Sequence, residues 1–139
     1  MINKREEFMW YMERMLFIPY HWGGDDPLAG FDCSGSVNEG FKSVGFLKNS
    51  DDKTAEQLRD WLKPKTVGHP IRGCLVFFKN DDGHVFHVGV CRNELQMIEF
   101  GGGGSDTVNL EIAIKRNAYG RVRPFATRDD IDCYIDPFI

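Results

Sequence analysis

Gly73-Cys74-Leu75-Val76-Phe77-Phe78 and Phe86-His87-Val88-Gly89-Val90-Cys91 are two short runs of apolar, β-branched and aromatic residues. Between them Asn80-Asp81-Asp82-Gly83 has the composition of a turn. They predict two strands joined by a hairpin connection. Alternation in the second strand puts Phe86, Val88 and Val90 on one face and His87, Gly89 and Cys91 on the other. The small neighbours leave His87 open to approach. A strand histidine on its own fits a hydrogen-bonded structural role as well as an acid–base one.

Further along the chain, Gln96, Met97, Ile98 and Glu99 predict a third strand that ends at the glycine run Gly101 to Gly104. Glu99 is the candidate to accept a hydrogen bond from the far nitrogen of an acid–base histidine, which would fix its tautomer. It also fits a solvated carboxylate at a strand end. Residues 107–114 and 119–125 are read as further strands, with Arg121-Val122-Arg123 alternating. Lys115-Arg116, Arg121 and Arg123 are read as a solvated face, His84 as solvated surface, and His21 and His69 as loop residues, His21 near a cleft. The tail from Thr127 to Ile139 is acidic but ends in Tyr134, Ile135, Phe138 and Ile139. It is expected either to pack back on the domain or to dock on a partner.

On the N-terminal side of the strands, Pro19-Tyr20-His21-Trp22-Gly23-Gly24-Asp25-Asp26-Pro27 is a loop of turn formers. From Cys33 onward Val37, Phe41 and Val44 recur at helical spacing, with Gly40 as a weak point. Asp32 is an N-cap residue type, so Cys33 falls in the first turn of this helix. A free thiol ionises near pH 8.5, and a helix N-terminus or an adjacent imidazolium lowers that value. The amides exposed there can also bind a developing oxyanion. Cys33 equally fits a small buried apolar side chain. Thr54 and Gln57 match a capping box ahead of Leu58, Trp61 and Leu62, and Met1 to Phe17 reads as an amphipathic helix.

With 139 residues, 42% hydrophobic and 13% aromatic, the chain fits one domain over 1–139, with 126–139 as its C-terminal tail. The net charge of −4 and the lack of a dense Lys/Arg stripe argue against nucleic-acid binding. Glu6, Glu7, Glu13 and Arg14 break up any signal-peptide core, and no run has the length of a membrane span. Cys33, Cys74, Cys91 and Cys133 form no CxxC pair and the histidines have no zinc spacing, so no metal or cofactor is expected. Disulfides among Cys74, Cys91 and Cys133 stay open, although the lack of an export signal favours reduced thiols.

Taken together these stretches resemble the NlpC-type cell-wall cysteine peptidases, a compact papain-like group. The resemblance is carried by Pro19-Tyr20-His21-Trp22-Gly23-Gly24, Phe31-Asp32-Cys33-Ser34-Gly35, Thr54-Ala55-Glu56-Gln57-Leu58, Gly73-Cys74-Leu75-Val76-Phe77-Phe78 and His87-Val88-Gly89-Val90, in the family's order. It implies an α+β fold with N-terminal helices packed on an antiparallel sheet. It implies Cys33 as nucleophile, His87 as base and acid, and a third polar residue twelve positions later at Glu99, where histidine, asparagine or glutamine is commoner. Cys74 stands where the family usually has aspartate, a change expected to touch a structural hydrogen bond. The resemblance further implies that Asp32 and Ser34 hold the free amine of a stem peptide and that Tyr20 shapes the site.

The implied activity is hydrolysis of an amide bond in peptidoglycan stem peptides, of the D-glutamyl-diamino acid type, with stem peptide or muropeptide as partner. Without a signal, such an enzyme would reach the wall by another route: as part of a phage particle, through a membrane lesion, or as an injected toxin. The alternatives are a papain-like acyltransferase or thioesterase, and a catalytically silent structural or binding module of a phage particle that docks through the tail.

Overall fold

Asn3 opens the first helix: its side-chain oxygen accepts hydrogen bonds from the N–H groups of Arg5 and Glu6, and α1 runs Lys4–Arg14 with Phe8, Met9 and Met12 buried. This computed structural model describes residues 3–26, 30–101, 103 and 106–139; Met1, Ile2, Pro27, Gly102 and Gly104, on which parts of the sequence reading fell, lie outside them. The helix stops short of Phe17. Met15 folds back onto the Met12 carbonyl, and Phe17 takes a left-handed backbone with φ 70° that turns the chain away.

Helix α2 spans Cys33–Ser43, as its apolar period requires, with Asp32 as N-cap accepting from the Gly35 N–H. Gly40, a weak point by propensity, is a packing requirement. A Cβ there would lie 2.7 Å from Phe8 Cε1, so glycine lets α1 and α2 cross closely and the Phe8 and Phe41 rings stack at 5.1 Å. Helix α3, Ala55–Leu62, opens with the full capping box of Thr54 and Gln57. Buried Asn38 ties the two together, donating to the Lys53 and Ser34 carbonyls and accepting from the Lys53 N–H.

A short pair, β1 (Asp25–Asp26) and β2 (Gly30–Phe31), lies ahead of α2. The main sheet is built from β3 (Thr66–Val67), β4 (Leu75–Lys79), β5 (Val85–Cys91), β6 (Gln96–Gly101), β7 (Tyr119–Pro124) and β8 (Ile131–Ile135). Its order is β3-β8-β4-β5-β6-β7, and its pairings are antiparallel. Alternation sorts its side chains. Leu75, Phe77, Val88, Val90 and Ile98 join Phe8, Val37, Phe41 and Leu58 in the core beneath the helices, while Cys74, Val76, Phe78, Cys91, Met97 and Phe125 form a second cluster. This is the expected α+β layering of N-terminal helices on an antiparallel sheet. All four cysteines are free thiols, with Cys74 and Cys91 fully buried.

Two expectations are corrected. Residues 107–114 are not a strand: Asn109 caps helix α4, Leu110–Arg116, by accepting from the Ile112 N–H, and Asn117 ends it in the left-handed conformation. Phe86 does not share a face with Val88 and Val90. His87 pairs with Phe78 and Val85 with Lys79, so Phe86 is the extra residue of a β-bulge and is exposed, while Val85 takes the buried place. The segment read as a tail packs back on the domain, one of the two outcomes expected of it: it supplies β8, which pairs with both β3 and β4. Its end is held by the Arg5–Asp136 ion pair at 2.8 Å, with Asp136 almost fully buried.

Candidate active site

Cys33 stands at the first position of α2 because Asp32 and the glycines around it fix that end of the helix. Asp32 Oδ1 accepts from the Gly35 N–H at 2.6 Å and Oδ2 accepts from the Gly23 N–H at 3.0 Å. The Asp32 N–H donates to the Gly24 carbonyl, and a Cβ on Gly35 would fall 1.9 Å from that same oxygen. Only glycine fits where the loop crosses the helix end. The loop is tied down by Tyr20 N–H to Ala118, Trp22 N–H to Thr107, and Gly120 N–H to Ile18.

His87 reaches the site from β5 and Glu99 from β6. His87 Nε2 lies 2.5 Å from Glu99 Oε2, and the Cys33 thiol is within hydrogen-bonding reach of the His87 ring. With Nε2 engaged by Glu99, Nδ1 is left for the sulfur. So the sequence-predicted trio of Cys33, His87 and Glu99 meets in space. Burial alone would push the His87 pKa down, but hydrogen bonds to Cys33 and Glu99, with their charges, outweigh it and raise the value to about 9. Glu99 is 5% exposed, and burial would favour its neutral form. The hydrogen bond and charge of His87, with Arg123 and Arg128 nearby, hold it below the ordinary carboxylate range.

The trio lines a cleft of about 1010 Å³ together with Tyr20, Trp22, Asp32, Ser34, His84 and Phe86. Burial, and then the neighbouring Cys33 and Asp32, raise the Tyr20 phenol, so it stays a protonated donor at neutral pH. Its ring packs on Gly103, where a Cβ would come within 2.3 Å. Burial also raises Asp32, against the pull of its two backbone hydrogen bonds. Ser34 Oγ donates to Asp32 Oδ1 at 3.4 Å. The six residues to which the resemblance gives roles, Tyr20, Asp32, Cys33, Ser34, His87 and Glu99, therefore border one cavity.

Other residues are placed differently from their reading. His21 turns to its own loop, with Nδ1 3.1 Å from the Trp22 carbonyl oxygen, and does not line the cleft. His84 is exposed but pairs with Glu56 at 3.0 Å on the cleft lip. Arg121 bonds the Gly101 and Asn117 carbonyls, and Arg123 lies 3.6 Å from Glu99, so this strand is not a purely solvated face. Arg128, which the sequence reading did not single out, also lines the cleft. Among the described residues no cluster of His, Cys, Asp and Glu could hold a metal ion, and no helix is long and apolar enough to cross a membrane.

The profile of the NlpC/P60 family matches residues 18–122, from the loop before the cysteine into β7. The chain belongs to the NlpC/P60 family. Among curated relatives, the bifunctional muramidase/DL-endopeptidase CwlT of Bacillus subtilis is 29% identical over 110 residues, covering 76% of this chain and 32% of that protein. The murein DD-endopeptidase MepH of Escherichia coli is 41% identical over 76 residues, 52% of this chain and 27% of that one. The chain thus spans about a third of the length of the curated relatives it matches. The crystal structure of an NlpC/P60 family protein from Bacillus cereus superposes with a TM-score of 0.72 at 21% identity, over 94% of this chain and 39% of that one. That likeness confirms the fold.

Proposed function

We propose that this chain is a cysteine peptidase that hydrolyses an amide bond in peptidoglycan stem peptides, of the D-glutamyl-diamino acid type. The observation that carries the reading is the Cys33–His87–Glu99 arrangement, with Nε2 of His87 2.5 Å from Glu99 and its ring within reach of the thiol, at an open cleft. The relatives named as cell-wall endopeptidases supply the substrate class.

In this reading the Cys33 sulfur attacks the scissile carbonyl carbon and the carbonyl oxygen becomes an oxyanion. The Cys33 backbone N–H at the start of α2 and a donor from the Tyr20 loop face it; losing one such donor typically costs about 3 kcal/mol of transition-state stabilisation. His87 passes its proton to the leaving amine as the C–N bond breaks, which leaves a thioester on Cys33. A water then gives its proton to His87, attacks the thioester and releases the free acid and the thiol. Glu99 fixes the ring throughout.

The cleft lining suits a short zwitterionic peptide. Besides Glu99 it holds the carboxylates of Asp32, Asp52 and Glu56 and the cations of Lys53, Arg123 and Arg128. Asp32 and Ser34 are assigned the free amine end, which Asp32 can serve while capping α2. Incubation with purified muropeptides is expected to release new amino groups, read together with fragment masses, and Cys33→Ala is expected to abolish the release. Undiminished cleavage by the variant would refute the nucleophile. A new amide formed with added amine acceptors, in place of free acid, would point to the acyltransferase alternative.

A further inference from the structure

Glu99 faces more charge than a third residue of such a trio requires. From β5, His87 Nε2 meets its Oε2. From β7, Arg123 Nε lies 3.6 Å from its Oε1. From the segment after β7, Arg128 adds a second cation that acts on it, and Cys33 on α2 completes the surroundings through His87.

Arg128 is built in. Its guanidinium makes two hydrogen bonds to the Asp130 carboxylate, at 2.8 and 2.6 Å, and its central carbon lies 3.8 Å from the centre of the Phe78 ring, which itself stands 5.5 Å from the His87 ring. Arg123, about half exposed at the cleft, is the nearer and more adjustable charge.

A buried carboxylate bonded to an imidazole has two ways to go wrong. It can take up a proton and lose its hold on the ring, or it can bind the imidazolium so tightly that His87 cannot release its proton to a leaving amine. A neighbouring cation opposes both. We propose that Arg123, backed by Arg128, is a positioning residue of this site: it keeps Glu99 an oriented carboxylate and moderates its grip on the His87 proton. The inference rests on the peptidase reading for its consequence in catalysis, but its physical content is a coupling between Arg123, Glu99 and His87 that exists without substrate.

The test follows the His87 ring by NMR through a pH titration, with the signal assigned by its loss in His87→Gln, alongside the pH profile of muropeptide cleavage. Arg123→Gln removes the charge from a half-exposed side chain on an edge strand, so the fold is not at stake. It is expected to raise the His87 midpoint by roughly half a pH unit, the low end for one charge at this distance because the arginine is partly solvated. The basic limb of kcat/KM is expected to move the same way, and Arg123→Lys to restore most of the shift. In a Glu99→Gln background the same Arg123→Gln change is expected to do much less, since its route to the ring is gone.

An unmoved His87 midpoint overturns the inference, and so does an equal shift with and without Glu99, which would be a general charge effect. If the protein cleaves no muropeptide at any pH while the midpoint moves as expected, the peptidase reading fails and the coupling stands.

Discussion

His87 joins protonation to folding. Its folded pKa of about 9 stands above the ordinary 6.5, so the stability it contributes is fully present below pH 6.5 and is lost as pH rises through about 9. Glu99, held below its ordinary 4.5, works from the other side: its contribution is present above that value and is lost as pH falls through the folded one. The two share one hydrogen bond, so they describe a single interaction with a window between about pH 4.5 and 6.5. Thermal melts are expected to show the largest Tm advantage of the native protein over Glu99→Gln at about pH 6, shrinking as the pH passes 9. An advantage that grows with alkalinity would contradict the assignment. At this scale the sequence was most legible where local chemistry speaks: a cysteine after an N-cap, a histidine followed on its own strand face by Gly89 and Cys91. Arg123 was misread because alternation tells which face a strand residue takes, and not what the adjoining strand sets beside it. Only the register, with Arg121 opposite Glu99 and Arg123 opposite Met97, brings Arg123 alongside Glu99.

For the elements, the start of α2 decides most. A methyl at Gly35 would collide with the Gly24 carbonyl oxygen and crowd Asp32 Oδ1 at 2.7 Å, so the loop or the helix must shift, and Cys33 with it. Gly35→Ala is expected to cost roughly 2 kcal/mol or more in chemical denaturation and to reduce muropeptide cleavage by more than the stability loss explains. Unchanged stability would mean that the crossing is looser than described. The helices and the β4–β5 hairpin were legible because their signals are local: caps, a 3.6-residue apolar period and a turn. Two elements hid their type. Residues 107–114 alternate like a strand, with Val108, Leu110, Ile112 and Ile114 at every second place, but the segment forms a helix that buries only Ala113, so this period is not set by burial. The bulge at Phe86 inserts one residue into an otherwise alternating strand, and such a slip shows only once the partner strand is in place.

Across the whole molecule, β8 sits second in the sheet order, inside the sheet and between β3 and β4. A chain ending at residue 130 would leave β4 with a bare edge and expose the second apolar cluster, on which Ile131 and Tyr134 pack. Such a truncation is expected to abolish cooperative thermal unfolding and dispersed NMR signals. A well-folded truncated protein with native cleavage would refute this. The acidic character of 127–139 concealed the strand, because long-range pairing decides the fate of a short mixed segment more than its composition does. The placement also bears on biosynthesis. A ribosome delivers the β4–β5 hairpin well before the strand that covers β4, so a nascent chain holds all three reactive side chains on a half-built scaffold. Alignment of the thiol, imidazole and carboxylate thereby waits until β8 has been made and has paired with β4.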